Sequence, residues 1–155
     1  MARAVVSEEL ALRAWRAVAR LHARVYRKLD VELGEKVGLP FRSYEVLLRL
    51  SRAPGMSMRM TELAVNVLMT PSGVTRLIDQ MVERGLVLRK PDPNDARGQC
   101  AVLTPEGKAL LRKSSTAYHR AVRRHFADRF SEEQLTVLAE TFEAALAQPE
   151  ASGAR

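Results

Sequence analysis

Two Thr-Pro pairs set the frame of this chain. Thr70–Pro71 and Thr104–Pro105 each stand directly before a run whose apolar residues recur every three or four positions. A threonine hydroxyl accepts from the free N–H groups of a helix's first turn. Proline at the first helical position gives up an N–H that has no partner there anyway. Both pairs therefore mark helix starts. Between them, Gly85 suits the left-handed position that ends the first of these helices, and "LVLRK", "PDPNDARG" and "QCAVLT" follow. Two strand-like runs around a cluster of turn formers read as a β-hairpin with a long loop. Before Thr70, "MRM" reads as a very short strand and "ELAVNVL" as a short helix capped by Thr61. The expected order is helix over about 61–68, turn, helix over 71–84, then a hairpin.

The flanks read as helix. Residues 8–33 form one long pattern, with Ser7 as cap and Glu8 and Glu9 in the first turn, where the helix dipole favours acids. Trp15, Val18, Ala19, Leu21, His22, Val25, Tyr26 and Leu29 share one broad face. Arg13, Arg16, Arg20, Arg24 and Arg27 lie opposite. Gly34, then Gly38 and Pro40, mark its end. A shorter helix over 42–52 buries Tyr44, Val46, Leu47 and Leu50. Further helices are expected over 105–127 and 132–147, the last opened by the capping-box pair Ser131 and Gln134, with 148–155 as a frayed tail. The fold class is mainly α with one small β-hairpin.

The net charge of +7 and pI near 10.2 fit an anionic partner such as nucleic acid, or a solvated arginine-rich surface. Most of the excess lies in residues 1–58, so any nucleic-acid role of 59–104 rests on a few placed residues. No apolar run is long enough to span a bilayer, and "MARAVVSEEL" has no signal-peptide pattern. The single cysteine, Cys100, excludes an internal disulfide and fits a reducing cytoplasm. There is no glycine-rich phosphate loop, no nucleophile elbow and no meaningful His/acid spacing, which argues against an enzyme. His22, His119 and His125 lack neighbours at ligand spacing, so neither metal nor cofactor is expected.

The helix over 71–84 carries the function. Val74, Leu77, Ile78, Met81 and Val82 form its inward stripe, and Ser72, Thr75, Arg76, Asp79 and Gln80 face out. Small hydroxyls and one forked donor at a slim N-terminus suit entry into a major groove, with Ser72, Thr75 and Arg76 as readers. A merely solvated face is the alternative. Arg89 and Lys90, beside the hairpin, suit phosphate contacts. A guanidinium at a hairpin tip, Arg97, can enter a narrow minor groove, held extended by a carboxylate two residues earlier, Asp95. Alternatively Asp95 only starts a turn.

These residues resemble a known family. "DARGQCAVLT", read as D-x-R-G-x-x-x-x-L-T, is similar to the wing signature of the MarR family of bacterial transcriptional regulators. "MRMTELA", "TPSGVTRLIDQMVERGLV" and "LTPEGKALL" follow the family's order and separations, over roughly residues 8–147. The resemblance implies one MarR-type domain over 1–155. Its dimerisation helices would be 8–33 and 105–147, and its winged helix-turn-helix lobe 42–104. It also implies a homodimer on a pseudo-palindromic double-stranded DNA operator, with Arg97 as the minor-groove residue and Asp95 as its orienting partner. Repression relieved by a small aromatic or anionic effector is the implied mechanism, with Trp15, Arg16 and His22 as its candidate site. Ordinary packing is the alternative for those three. The arginine stripe has three readings: a solvated face, pairing with Glu140 or Glu143 of a second subunit, or attraction of DNA. Redox members of the family use a cysteine near the first helix, a pattern from which Cys100 departs. A winged-helix protein-interaction module without an operator is the competing function.

Overall fold

Ser7 accepts the Leu10 N–H at 3.3 Å and opens α1, Glu8–Val37. The computed structural model describes residues 6–93 and 95–148, and of Ala96 only the backbone. The expected tail therefore lies outside the described residues beyond Gln148. The first helix runs through Gly34 instead of stopping there, because one glycine inside a helix costs only about 1 kcal/mol. The left-handed position falls on Gly38 at φ 64°, whose N–H closes onto the Gly34 and Leu33 carbonyls. The second helix, α2 (Phe41–Arg52), has no capping side chain of its own. Asp30 of α1 supplies one by accepting the Phe41 N–H at 2.8 Å, so the start of α2 is fixed by the helix before it.

Strand β1 (Ser57–Arg59) runs straight into α3 (Met60–Asn66). Thr61 lies inside α3 and is not its cap, a correction to the sequence reading. Arg59 both pairs with Cys100 across the sheet and precedes the first helical residue, so the strand's end fixes the helix start. Thr70 does cap α4 (Pro71–Glu83), accepting from the Gly73 N–H at 3.2 Å. Strands β2 (Val87–Asp92) and β3 (Asp95–Leu103) follow, then α5 (Pro105–His125) and α6 (Glu132–Leu146), the last with its expected capping box.

The three strands form an antiparallel sheet in the order β1-β3-β2. The hairpin is tighter than expected. Residues read as a long loop are paired, and the turn shrinks to the link between Asp92 and Asp95 after a register shift at Pro91. Gly98 permits this: a Cβ there would stand 2.9 Å from Asp92 Cβ and 3.2 Å from Asp95 Cβ. The core beneath joins Tyr44, Leu47 and Leu50 of α2 to Leu63, Val74, Ile78, Met81 and Val87, with Leu29 and Leu33 from α1. Val82 does not join the inward stripe of α4 and is 37% exposed. No helix among the described residues is long and apolar enough to cross a membrane.

A buried carboxylate ties α1 to α5. Glu32 accepts from Arg124 Nη1 at 3.0 Å and lies 2.8 Å from His125 Nε2, with Lys36 as a third partner. Its carboxyl is held below the usual range, first by the Lys36 hydrogen bond, with burial opposing. A lowered folded-state pKa stabilises the protein above the ordinary glutamate range, and this stability disappears as pH falls through the folded value. Glu32→Gln should therefore lower Tm clearly at pH 7 and progressively less toward pH 3. A Tm deficit independent of pH would mean that packing, not charge, is what Glu32 contributes.

Candidate nucleic-acid interface

Thr70 and Pro71 start α4 at the surface, and the inward pull of Val74, Ile78 and Met81 turns Ser72, Thr75 and Arg76 outward. Thr75 Oγ1 donates to the Pro71 carbonyl at 2.9 Å, and Ser72 Oγ lies 3.4 Å from Thr70 Oγ1. Both hydroxyls are thus oriented and keep acceptor lone pairs for an incoming donor. Arg76 is exposed and makes no ion pair among the described residues.

Two expected roles change. Arg89 is not a free phosphate contact. Its Nη2 donates to the Thr75 carbonyl at 3.1 Å and meets Asp79 Oδ1 at 2.8 Å, so it clamps strand β2 against α4. Asp95 touches Arg97, but through the backbone: Oδ1 accepts the Arg97 N–H at 3.0 Å. This is the local turn that an aspartate two residues back makes readily. The carboxylate shapes the hairpin tip, and the Arg97 guanidinium has no ion-pair partner among the described residues. Lys90 is exposed on β2, opposite Cys100, which is buried.

One residue escaped the sequence reading. Arg59 Nε pairs with the buried Asp92 carboxylate, tying the end of β1 to the last residue of β2, beside the hairpin's turn. Nothing in the sequence links positions 59 and 92; only the sheet register brings them together. With Thr61, Thr75, Arg89, Arg97 and Gln99, Arg59 lines a cleft of about 320 Å³ between α4 and the hairpin. Asp92 and Asp95 line it as well, and Arg59 and Arg89 are already paired with Asp92 and Asp79, which leaves Arg97 as the cleft's guanidinium without an ion-pair partner among the described residues.

The proposed effector residues are not brought together. An apolar cavity of about 440 Å³ opens between α1, α6 and the segment joining α5 to α6. Leu21, His22, Val25, Tyr26, Phe130 and Phe142 are among its walls. His22 is on it, but Trp15 and Arg16 are not. Trp15 shares a face with His22 yet sits two turns away, about 10 Å along the axis, and is 68% exposed. Arg16 faces a separate groove beside Glu9, Arg13 and Arg20. Leu10, Leu12, Trp15 and Val18 of α1, and Val137, Phe142 and Leu146 of α6, leave large apolar surface uncovered.

Comparison with known proteins gives a consistent result. The profile of the MarR family matches residues 37–98. The crystal structure of Sco3205, a MarR family transcriptional regulator from Streptomyces coelicolor, in complex with DNA, superposes with a TM-score of 0.78. It is 31% identical over 96% of this chain and 97% of that one. AbsC, a MarR family transcriptional regulator of the same organism, gives 0.75 and 31% over 94% and 96%. A Thauera aromatica protein proposed as transcriptional regulator for the hcr operon is 30% identical over 77 residues, half of this chain. That match spans 45% of the Thauera protein's own length.

Proposed function

Because this chain belongs to the MarR family of transcriptional regulators, we propose that it binds a pseudo-palindromic operator as a homodimer and leaves it when a small effector binds. The DNA-binding lobe in this reading is 42–104, and the dimerisation helices are 8–33 and 105–147. The observation that carries it is the pair of exposed guanidiniums, Arg76 and Arg97, without ion-pair partners among the described residues, on two elements that Arg89 locks together. A recognition helix and a hairpin held at fixed separation suit a major groove and the adjacent minor groove. Ser72 and Thr75 add hydroxyl contacts, and Lys90 adds a phosphate contact. The Sco3205 structure contains DNA, which supports the same assignment.

The uncovered apolar faces of α1 and α6 favour a second copy, since patches of this kind mark interaction surfaces. Charge favours it too: α1 carries the arginine stripe, while α6 carries Glu132, Glu133, Glu140 and Glu143 and no basic residue. The apolar cavity with His22 on its wall suits a small aromatic effector. Aromatic acids are expected to raise Tm and weaken DNA binding together, and no effect from any compound would remove the effector from this reading.

The test is binding to the DNA upstream of the protein's own gene over a salt series. Protection of half-sites about one helical turn apart, with affinity falling steeply as salt rises, is expected. No preference over random duplex would instead favour a protein-interaction module. Arg97→Ala should weaken binding roughly tenfold where each half-site is flanked by A·T pairs, and much less beside G·C pairs. Equal loss on both flanks would reduce Arg97 to a phosphate contact.

A further inference from the structure

Arg42, on the first turn of α2, has no part in the DNA contacts described above. Its guanidinium meets groups from three other places in the chain. Nη1 donates to the Val67 carbonyl at 2.6 Å and lies 3.4 Å from Glu45 Oε2. Cζ sits 4.6 Å from the centre of the Tyr26 ring on α1. The Tyr26 hydroxyl donates to the same Glu45 oxygen at 3.5 Å. Burial pushes the Tyr26 phenol up to about 12, so it remains a donor throughout the neutral range.

Val67 caps the C-terminus of α3. A helix of seven residues is too short to be stable by itself. Its last carbonyls lack partners within the helix, and a cation placed there complements the dipole. The next residue, Leu68, has φ 51°, a left-handed conformation unfavourable for any residue with a Cβ. It is 81% exposed, so burial does not hold it there. The turn is closed by Leu68 N–H to Val65 O at 3.2 Å and Met69 N–H to Ala64 O at 3.0 Å. Thr70 then caps α4. Arg42 thus fastens, from outside, the turn that aims α4, and it rests on Tyr26, a wall of the apolar cavity.

We propose that Arg42 is a positioning residue for operator recognition: stacked on Tyr26 and braced by Glu45, it sets the turn between α3 and α4 and makes the cavity wall at Tyr26 felt at α4. The proposal rests on the operator reading above. A guanidinium is required because it presents a flat face to the ring and in-plane donors to both oxygens at once. A lysine ammonium has three donors for the oxygens but no flat face to lay on the Tyr26 ring.

The test uses the full chain in five forms: wild type, Arg42→Met, Arg42→Lys, Tyr26→Leu, and Arg42→Met with Tyr26→Leu. Affinity is measured for the upstream duplex and for a random duplex of equal length, and hydrogen exchange is followed across residues 66–71 and 105–125. Arg42→Met and the milder Arg42→Lys should each weaken operator binding, the former about tenfold, with under twofold change on random duplex. Exchange should quicken across 66–71 and not across 105–125. Tyr26→Leu should weaken the operator complex about fivefold when Arg42 is present and under twofold in Arg42→Met, because the path through Arg42 is then already cut. Equal losses on both duplexes, the same Tyr26→Leu effect in both backgrounds, or unchanged exchange across 66–71 would overturn the proposal. If wild type shows no operator preference, the operator reading falls by itself. The exchange measurement then decides separately whether Arg42 holds the turn.

Discussion

Gly107→Ala is expected to destabilise the protein by about 3 kcal/mol or more, the upper range for an overpacked site, and to lower Tm by roughly 6–12 °C for a chain of this size. A Cβ at Gly107 would stand 2.1 Å from the Leu86 carbonyl oxygen and 2.9 Å from Leu103 Cδ1. The leucine side chain can rotate away, but the carbonyl cannot. It accepts the Thr104 N–H at 3.2 Å and lies 2.9 Å from the Thr104 hydroxyl. That same hydroxyl oxygen accepts the Gly107 N–H at 2.9 Å. The start of α5 is therefore pressed onto the backbone leaving α4, and the glycine is what permits the approach. Gly34→Ala is the control. Nothing lies within 4 Å of its Cβ position, inside a helix, so alanine there should stabilise by roughly 0.5–1 kcal/mol. Thermal melts of both variants check the contrast, and a Gly107→Ala protein melting with wild type would show that the α5 start is looser than described.

The second large effect is on DNA. Arg76→Ala should weaken operator binding roughly tenfold to hundredfold, the range for losing one bidentate base contact. The side chain leaves the exposed face of α4 within the first two turns after the Thr70 cap and makes no ion pair among the described residues. Its loss should therefore leave folding nearly untouched, with Tm close to that of wild type. Discrimination should relax at one base pair of each half-site, and operator titrations with each base substituted in turn would locate it. Uniform weakening on every sequence, with the salt slope reduced by about one, would instead place Arg76 on a phosphate.

The contrast between Arg76 and Arg89 shows how far sequence could go. Both are arginines near the recognition helix, and both were expected to face DNA. Arg76 follows from helical periodicity, because Val74, Ile78 and Met81 fix which face is inward. Arg89 is set by the docking of β2 on α4, where Asp79 and the Thr75 carbonyl capture it. Asp95 was legible as a turn former beside Arg97, yet which part of Arg97 it would hold depended on a hairpin tighter than its composition suggests. Trp15, Arg16 and His22 look like one site on a helical projection, but a cavity needs walls from other elements, and Phe130 and Phe142 supply them only beside His22.

The sequence by itself determined the Thr-Pro helix starts, the capping box at Ser131, the inward stripe of α4 apart from Val82, and the order helix, turn, helix, hairpin. These depend on contacts within a few residues, where geometry is set by backbone periodicity and capping. Tertiary structure alone decided that Asp30 caps α2, that Arg59 meets Asp92, and that Arg42 reaches Val67, 25 residues on. Each of these is a side chain satisfying a backbone or carboxylate group on a different element. No local pattern encodes such a partner, because its position exists only once the elements have packed.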